Sequence, residues 1–197
     1  MKDLLSIVSH FQLQGTVQEI NPLGAGLIND TYKVSTLEAD APDYVLQRIN
    51  HAIFQNVEML QANINAVTTH IRKKLEEKGE KDIERKVLHF FPADTGKTYW
   101  HDGESYWRVM AFIPNARTYE TVNSEYSYYA GVAFGNFQAM LADIPDKLGE
   151  TIPDFHNMEF RLKQLRDAVA ADAAGRVKEV RYFLDEIERR AEEMCKA

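Results

Sequence analysis

The spacing of apolar residues changes period along the chain, and each change marks a change of element. Leu4, Ile7, Val8 and Phe11 recur at steps of three or four, one face of a short helix that Gly15 is placed to end in a left-handed cap. The period then falls to two. Thr16 to Ile20 and Ile28 to Thr36 read as strands, the second with Ile28, Asp30, Tyr32 and Val34 on one face and Asn29, Thr31, Lys33 and Ser35 on the other. After the polar loop "LEADAPD", Tyr44 to Asn50 reads as a third strand. Helical spacing returns in Val57, Leu60, Ile64, Val67, Ile71 and Leu75, with Asn56 as N-cap and Gly79 as the stop. "KVLHFF" and "ESYWRVMAFI" add two strands around the turn-rich "PADTGKTYWHDG".

Beyond Pro114 the pattern is helical throughout. One helix runs from Ser124 to Asp143 and is expected to turn Phe134, Phe137 and Leu141 inward. Phe155, Met158, Leu162, Leu165 and Val169 define a second, and Val177, Val180, Leu184, Ile187, Ala191 and Met194 a third, with Gly175 between them. Strands followed by helices predict an α+β protein, not a doubly wound parallel sheet. The expected division is a sheet-bearing lobe over residues 1–114 and a helical part over 115–197. The apolar stripe of the last helix is long enough that self-association through the C-terminal helices is expected if nothing covers it.

Composition narrows the class. The chain has 197 residues, 45% apolar and 27% charged, ordinary for a soluble globular protein. Its formal charge of -7 offers no basic surface for a phosphate backbone, so nucleic acid is not the expected partner. No run approaches the roughly 20 apolar residues that span a bilayer, so no membrane partner is expected. The first residues show no cleavage site of a secretory signal, and the one cysteine, Cys195, suits a reducing compartment. A cytoplasmic protein is expected.

The candidate chemistry lies in the sheet. A turn carrying Gly24 and Gly26 joins the first two strands; it is either an ordinary hairpin or a lid over phosphates, as in kinase glycine loops. In that kinase layout the third strand offers a cation to the phosphates and the inserted helix a carboxylate to hold it. Here the third strand carries Gln47 and Arg48 and the helix carries Glu58 near its start. Arg48 reads equally as a solvated strand residue, and Glu58 as a first-turn acid favoured by the helix dipole. "RVMAFIPNA" ends the fifth strand where strands give way to helices, so Met110, Ala111 and Phe112 are candidates for a backbone edge facing an adenine, or for plain core. The six histidines show no paired metal spacing, and "YWHDG" sets His101 beside Asp102 in a polar turn without a nucleophile. No metal ligand is expected among these residues.

Taken in order, "NPLGAGLINDTYKV", "YVLQRINHAIFQNVEMLQANINAVTTHI", "YWRVMAFIPNARTYETV" and "AGVAFGNFQAMLADIP" resemble the aminoglycoside phosphotransferase and choline kinase superfamily, nearest its N-acetylhexosamine 1-kinase branch. The resemblance implies a protein-kinase-like N-lobe, a five-stranded antiparallel sheet with an inserted helix, followed by C-lobe helices. It also implies ATP with Mg²⁺ and phosphoryl transfer to a hydroxyl of a small molecule such as a sugar. Carried over by residue, Gly24 and Gly26 match the phosphate-covering loop, Asn29, Asp30 and Thr31 the strand leaving it, and Met110 to Ile113 the adenine hinge. The position usually held by a third-strand Lys or Arg matches Gln47, with Arg48 on the opposite face, so either Arg48 reaches round or the phosphates rely on backbone N–H groups and metal. The family's His-x-Asp loop with its following Asn, and its metal-binding Asp, are absent from residues 1–197. The expectation is therefore a nucleotide-binding portion that stops before the catalytic loop, with no catalytic residue of its own and inactive alone. The alternative is a non-catalytic nucleotide-binding or interaction module derived from that fold.

Overall fold

The computed structural model describes residues 3–24, 26, 28–119 and 121–196. It is a mixed α+β protein, a kinase-like N-lobe followed by helices. Two compact units divide it, residues 1–151 and 152–197.

The first unit opens with α1 (Leu4–Val8), whose N-terminus is capped by the Asp3 carboxylate accepting from the Leu5 N–H. The helix ends at Ser9, so Gly15 does not close it. Phe11 has left the helix and bridges to Ala93, while Gly15 (φ +82°) turns the chain into the first strand, where a Cβ would meet that of Ala41 at 2.7 Å. Strands β1 (Val17–Pro22), β2 (Asp30–Thr36) and β3 (Tyr44–Ile49) then form an antiparallel meander. Helix α2 (Val57–Glu77) follows, capped as expected by Asn56, whose side chain accepts from the Met59 N–H.

The second half of the sheet departs from the expected strands. Residues Ile83–Lys86 form a short helix, α3, and "KVLHFF" contributes only the two-residue β4 (Phe90–Phe91). A further strand, β5 (Trp100–His101), lies inside the stretch read as turn, and hairpins onto β6 (Tyr106–Ala111). Asp102 explains why. Its carboxylate accepts from the Glu104 and Ser105 N–H groups and from the Trp107 indole, which closes a tight turn through Gly103 (φ +94°). Asp102 is thus a brace of the β5–β6 turn. The sheet has six antiparallel strands rather than five, in the order β1-β2-β3-β6-β4, with β5 beside β6.

One face of this sheet is dry. Val34, Tyr44, Leu46, Trp107 and Val109 pack against Ile7, Val8 and Phe11 from the N-terminal segment. The buried Tyr44 hydroxyl is satisfied by the Gln14 backbone, accepting from its N–H at 2.8 Å and donating to its carbonyl at 3.0 Å. The other face carries α2. A second cluster, Ile71, Leu75 and Val87 with Met140 and Leu141, joins α2 and α3 to α4 (Ser124–Leu141). Asn63 of α2 also exchanges two hydrogen bonds with the Gly149 backbone. The expectation for α4 fails at two of its three positions. Phe134 is 71% exposed and Phe137 43%, because α4 meets α2 only through its C-terminal turn.

The second unit is a helical pair, α5 (Met158–Ala171) and α6 (Arg181–Met194), linked through the left-handed Gly175 and a single 3-10 turn. Arg166 grips Glu188 with two hydrogen bonds, and Leu162 and Ala191 are buried. The α6 stripe is therefore partly covered within its own unit, while Val180, Tyr182 and Phe183 stay exposed.

Truncating a core side chain removes its transfer energy and leaves a cavity. Leu46→Ala, at a position with no exposed surface, is expected to lower stability by roughly 2–5 kcal/mol. Phe134→Ala is expected to shift the urea midpoint little. Equal losses in equilibrium unfolding would return Phe134 to the core.

Candidate functional site

The α2-facing side of the sheet holds a polar network. Antiparallel pairing sets Thr31 of β2 opposite Gln47 of β3, and Gln47 opposite Arg108 of β6. All three therefore share the face that alternates away from Tyr44, Leu46 and Trp107. Arg108 donates to Gln47 Oε1 from Nε (3.0 Å) and Nη2 (2.6 Å), and to Gln61 Oε1 of α2 from Nη1 (2.9 Å). Each glutamine is held in that orientation by its other end. Gln47 Nε2 donates to Thr31 Oγ1 at 3.0 Å, and Gln61 Nε2 to the Thr98 carbonyl at 2.8 Å. The Phe90 ring lies beneath the guanidinium, 5.4 Å from its carbon.

No carboxylate among the described residues pairs with this guanidinium. Burial pushes Arg108 down to about 10, so it remains cationic at neutral pH. The carboxylates expected nearby are committed elsewhere. Glu58 accepts from Lys97 at 2.9 Å, and the Tyr99 hydroxyl and Glu58 together hold Lys97 above the ordinary lysine range. Asp30 is bound to Arg48, whose Nε donates to it at 2.6 Å, and both lie on the opposite face of the sheet. Arg48 therefore does not reach round to Gln47.

The glycine turn lies at the Thr31 end of this network, where a Cβ on Gly26 would come within 3.8 Å of the Thr31 hydroxyl oxygen. The Leu23 N–H donates to the Thr31 carbonyl at 2.8 Å, closing the β1–β2 hairpin, and Gly24 takes φ +72°. Asn29 Oδ1 accepts from the Asn50 N–H at 2.8 Å, which fastens the loop's exit to the end of β3. Ala25 and Leu27 of the quoted motif fall outside the described residues. At the far end of β6, the Ala111 N–H donates to His89 and the Phe112 N–H to Asp43. Those two amides are spent, and of Met110 to Ile113, the stretch that the resemblance matches to an adenine hinge, Ile113 is the first whose N–H lacks a backbone partner among the described residues. Lys33 braces this end, 2.8 Å from Asp43 and 4.6 Å from the Phe112 ring centre, and holds the Asp43 carboxyl below the usual carboxylate range. Among the described residues no cluster of His, Cys, Asp and Glu fits a metal, and no helix is long and apolar enough to cross a membrane.

A glycine hairpin on an antiparallel sheet with a helix on its polar face, followed by further helices, is the layout of a kinase-like N-lobe. The profile of the phosphotransferase enzyme family (APH) matches residues 19–197. The chain belongs to that family. Its members transfer phosphoryl groups. The structure brings Thr31 and Gln47 together on the polar face, sets Met110 on the same face, and leaves Asp30, Arg48 and Glu58 engaged away from them.

Arg108 and Gln61 are the residues that strand and helix patterns passed over. Both carried a signal. Arg108 is the sole charge inside the apolar run "YWRVMAFI", and Gln61 lies four residues after Val57 on the inward side of α2, with 2% of its surface exposed. A polar group in either place needs a buried partner.

The turn also resists substitution for a reason internal to the fold. A Cβ on Gly26 would sit 2.5 Å from the Asn29 carbonyl oxygen, whereas one on Gly24 meets nothing within 4 Å. Gly26→Val is expected to displace the turn itself and speed hydrogen exchange at the Leu23 amide. Gly24→Ala is expected to cost only the left-handed backbone term, about 1–2 kcal/mol. Unchanged Leu23 exchange in Gly26→Val would refute the clash.

Proposed function

We propose that this chain is the nucleotide-binding part of an ATP-dependent kinase that transfers the γ-phosphoryl group to a hydroxyl of a small molecule, a sugar and first an N-acetylhexosamine. Family membership over residues 19–197 carries the reaction class. The glycine hairpin closed by Leu23 and Thr31, set on the same sheet face as a half-buried cation, supports a polyphosphate donor. In this reading Gly24 and Gly26 cover the phosphates, Asn29 and Thr31 position the loop's exit, and the Met110–Ile113 stretch meets the adenine edge with the Ile113 N–H as its donor. Mg²⁺ accompanies ATP and neutralises phosphate charge when bound. Phosphoryl transfer gains its rate from positioning and charge stabilisation, and this lobe contributes to both. The sugar preference rests on the motif resemblance alone. The reading places no general base in these residues, so the chain by itself is expected to bind the nucleotide without turning it over.

Calorimetric titration of the purified chain with ATP and Mg²⁺ is expected to show saturable binding that adenosine competes for. With γ-labelled ATP and a panel of hexoses and N-acetylhexosamines, no labelled sugar is expected above background. Absence of ATP binding would overturn the nucleotide reading. Sugar phosphorylation by the chain alone would overturn the assignment of the general base.

A further inference from the structure

The third strand lacks a cation on the face beneath the glycine hairpin, and β6 supplies one. Of the five N–H donors of a guanidinium, Arg108 spends one at Nε, one at Nη1 and one at Nη2 on the two glutamines, which leaves two. Both acceptors are neutral amides, so the network orients the guanidinium without cancelling its charge. Charges removed from water are costly unless paired, and here the described residues provide no carboxylate to pair with. Thr31 accepts from Gln47 through its hydroxyl oxygen, so its own O–H stays available as a donor on the same face. Two guanidinium N–H groups and a hydroxyl, on the face below a glycine turn, are complementary to an anion with several oxygens.

We propose that Arg108 is the phosphate-binding cation of this site, contacting the nucleotide's polyphosphate from β6, with Gln47 and Gln61 as its positioning residues. The familiar kinase solution uses a lysine on the third strand held by a carboxylate from the inserted helix. This chain sets a glutamine on the third strand, a glutamine on the inserted helix and the charge one strand further on. A lysine salt-bridged to a carboxylate shares its charge with that partner. An arginine held by amides keeps its full charge for the ligand, and its planar fork suits paired phosphate oxygens. The inference rests on the nucleotide reading above and adds to it the residue that carries the phosphate contact.

The test compares ATP with adenosine, which shares the base and sugar but has no phosphate. In the unsubstituted chain, the ¹⁵N resonances of the Arg108 guanidinium are expected to shift on addition of ATP or inorganic tripolyphosphate and to stay still with adenosine. Arg108→Gln is expected to weaken ATP binding by about ten- to a hundredfold, the range set by hydrogen bonds to a charged group, and to leave adenosine binding unchanged. Arg108→Gln with Gln47→Lys returns a cation to the third strand and is expected to recover most of the ATP affinity. If Arg108→Gln does not hold its fold, the resonance shifts and the double variant carry the test. ATP binding by the unsubstituted chain with no guanidinium shift, or with equal affinity in Arg108→Gln, overturns the role of Arg108 and leaves the nucleotide reading standing. No ATP binding by the unsubstituted chain overturns both.

Discussion

A guanidinium placed between a sheet and a helix must be given acceptors, and much of this lobe is arranged around that demand. Arg108 finds them in Gln47 and Gln61, at 2.6–3.0 Å. Because each amide spends its oxygen on Arg108, each must spend its nitrogen elsewhere, and the two nitrogens tie down Thr31 and Thr98. One cation thereby links β2, β3, β6, α2 and the segment leading into β5. Loss of Arg108 leaves the oxygen of the buried Gln61 without its partner, which costs more than a single hydrogen bond contributes.

The same requirement governs register. The two faces of the sheet differ sharply, with Tyr44, Leu46, Trp107 and Val109 on the dry side and Thr31, Gln47 and Arg108 on the other. A slip of one residue in β6 would drive Arg108 into the aliphatic core and lift Trp107 onto α2. The hairpin through Gly103, braced by Asp102, holds β6 against β5 at one end, and β4 pairs with it at the other. The exposed Asp30–Arg48 pair has no such role. Both groups are about half exposed, where ion pairs contribute little to stability. Its consequence is directional: it fixes the third-strand cation on the face away from the glycine hairpin's partners.

Helix α4 shows what local pattern does not contain. Its sequence is apolar on several sides, yet among the helices and strands of the first unit it packs on α2 and α3 through the end near Met140 and Leu141. The aromatic residues that look like a core stripe, Phe134 and Phe137 among them, stay at the surface because no element of the first unit lies opposite them. Apolar periodicity says that a helix has a face to bury. It does not say that the partner is present.

The sequence by itself determined the elements whose signals are local. The Asn56 cap, the stripe from Val57 to Leu75, the alternation in β2 and β3 and the Gly175 break each arise from residues a few positions apart, and each is found where expected. The glycine hairpin was legible for the same reason. Tertiary structure decided what depends on distant partners. It placed β5 beside β6, shortened "KVLHFF" to two paired residues and left Gly15 to a turn instead of a helix end. It also chose the owner of the charge beneath the glycine hairpin. Arg108 stands 61 residues from Gln47 and 47 from Gln61, and no periodicity spans that distance. Only the pairing of β3 with β6, and the seating of α2 on the sheet, bring an arginine and two glutamines within hydrogen-bonding reach.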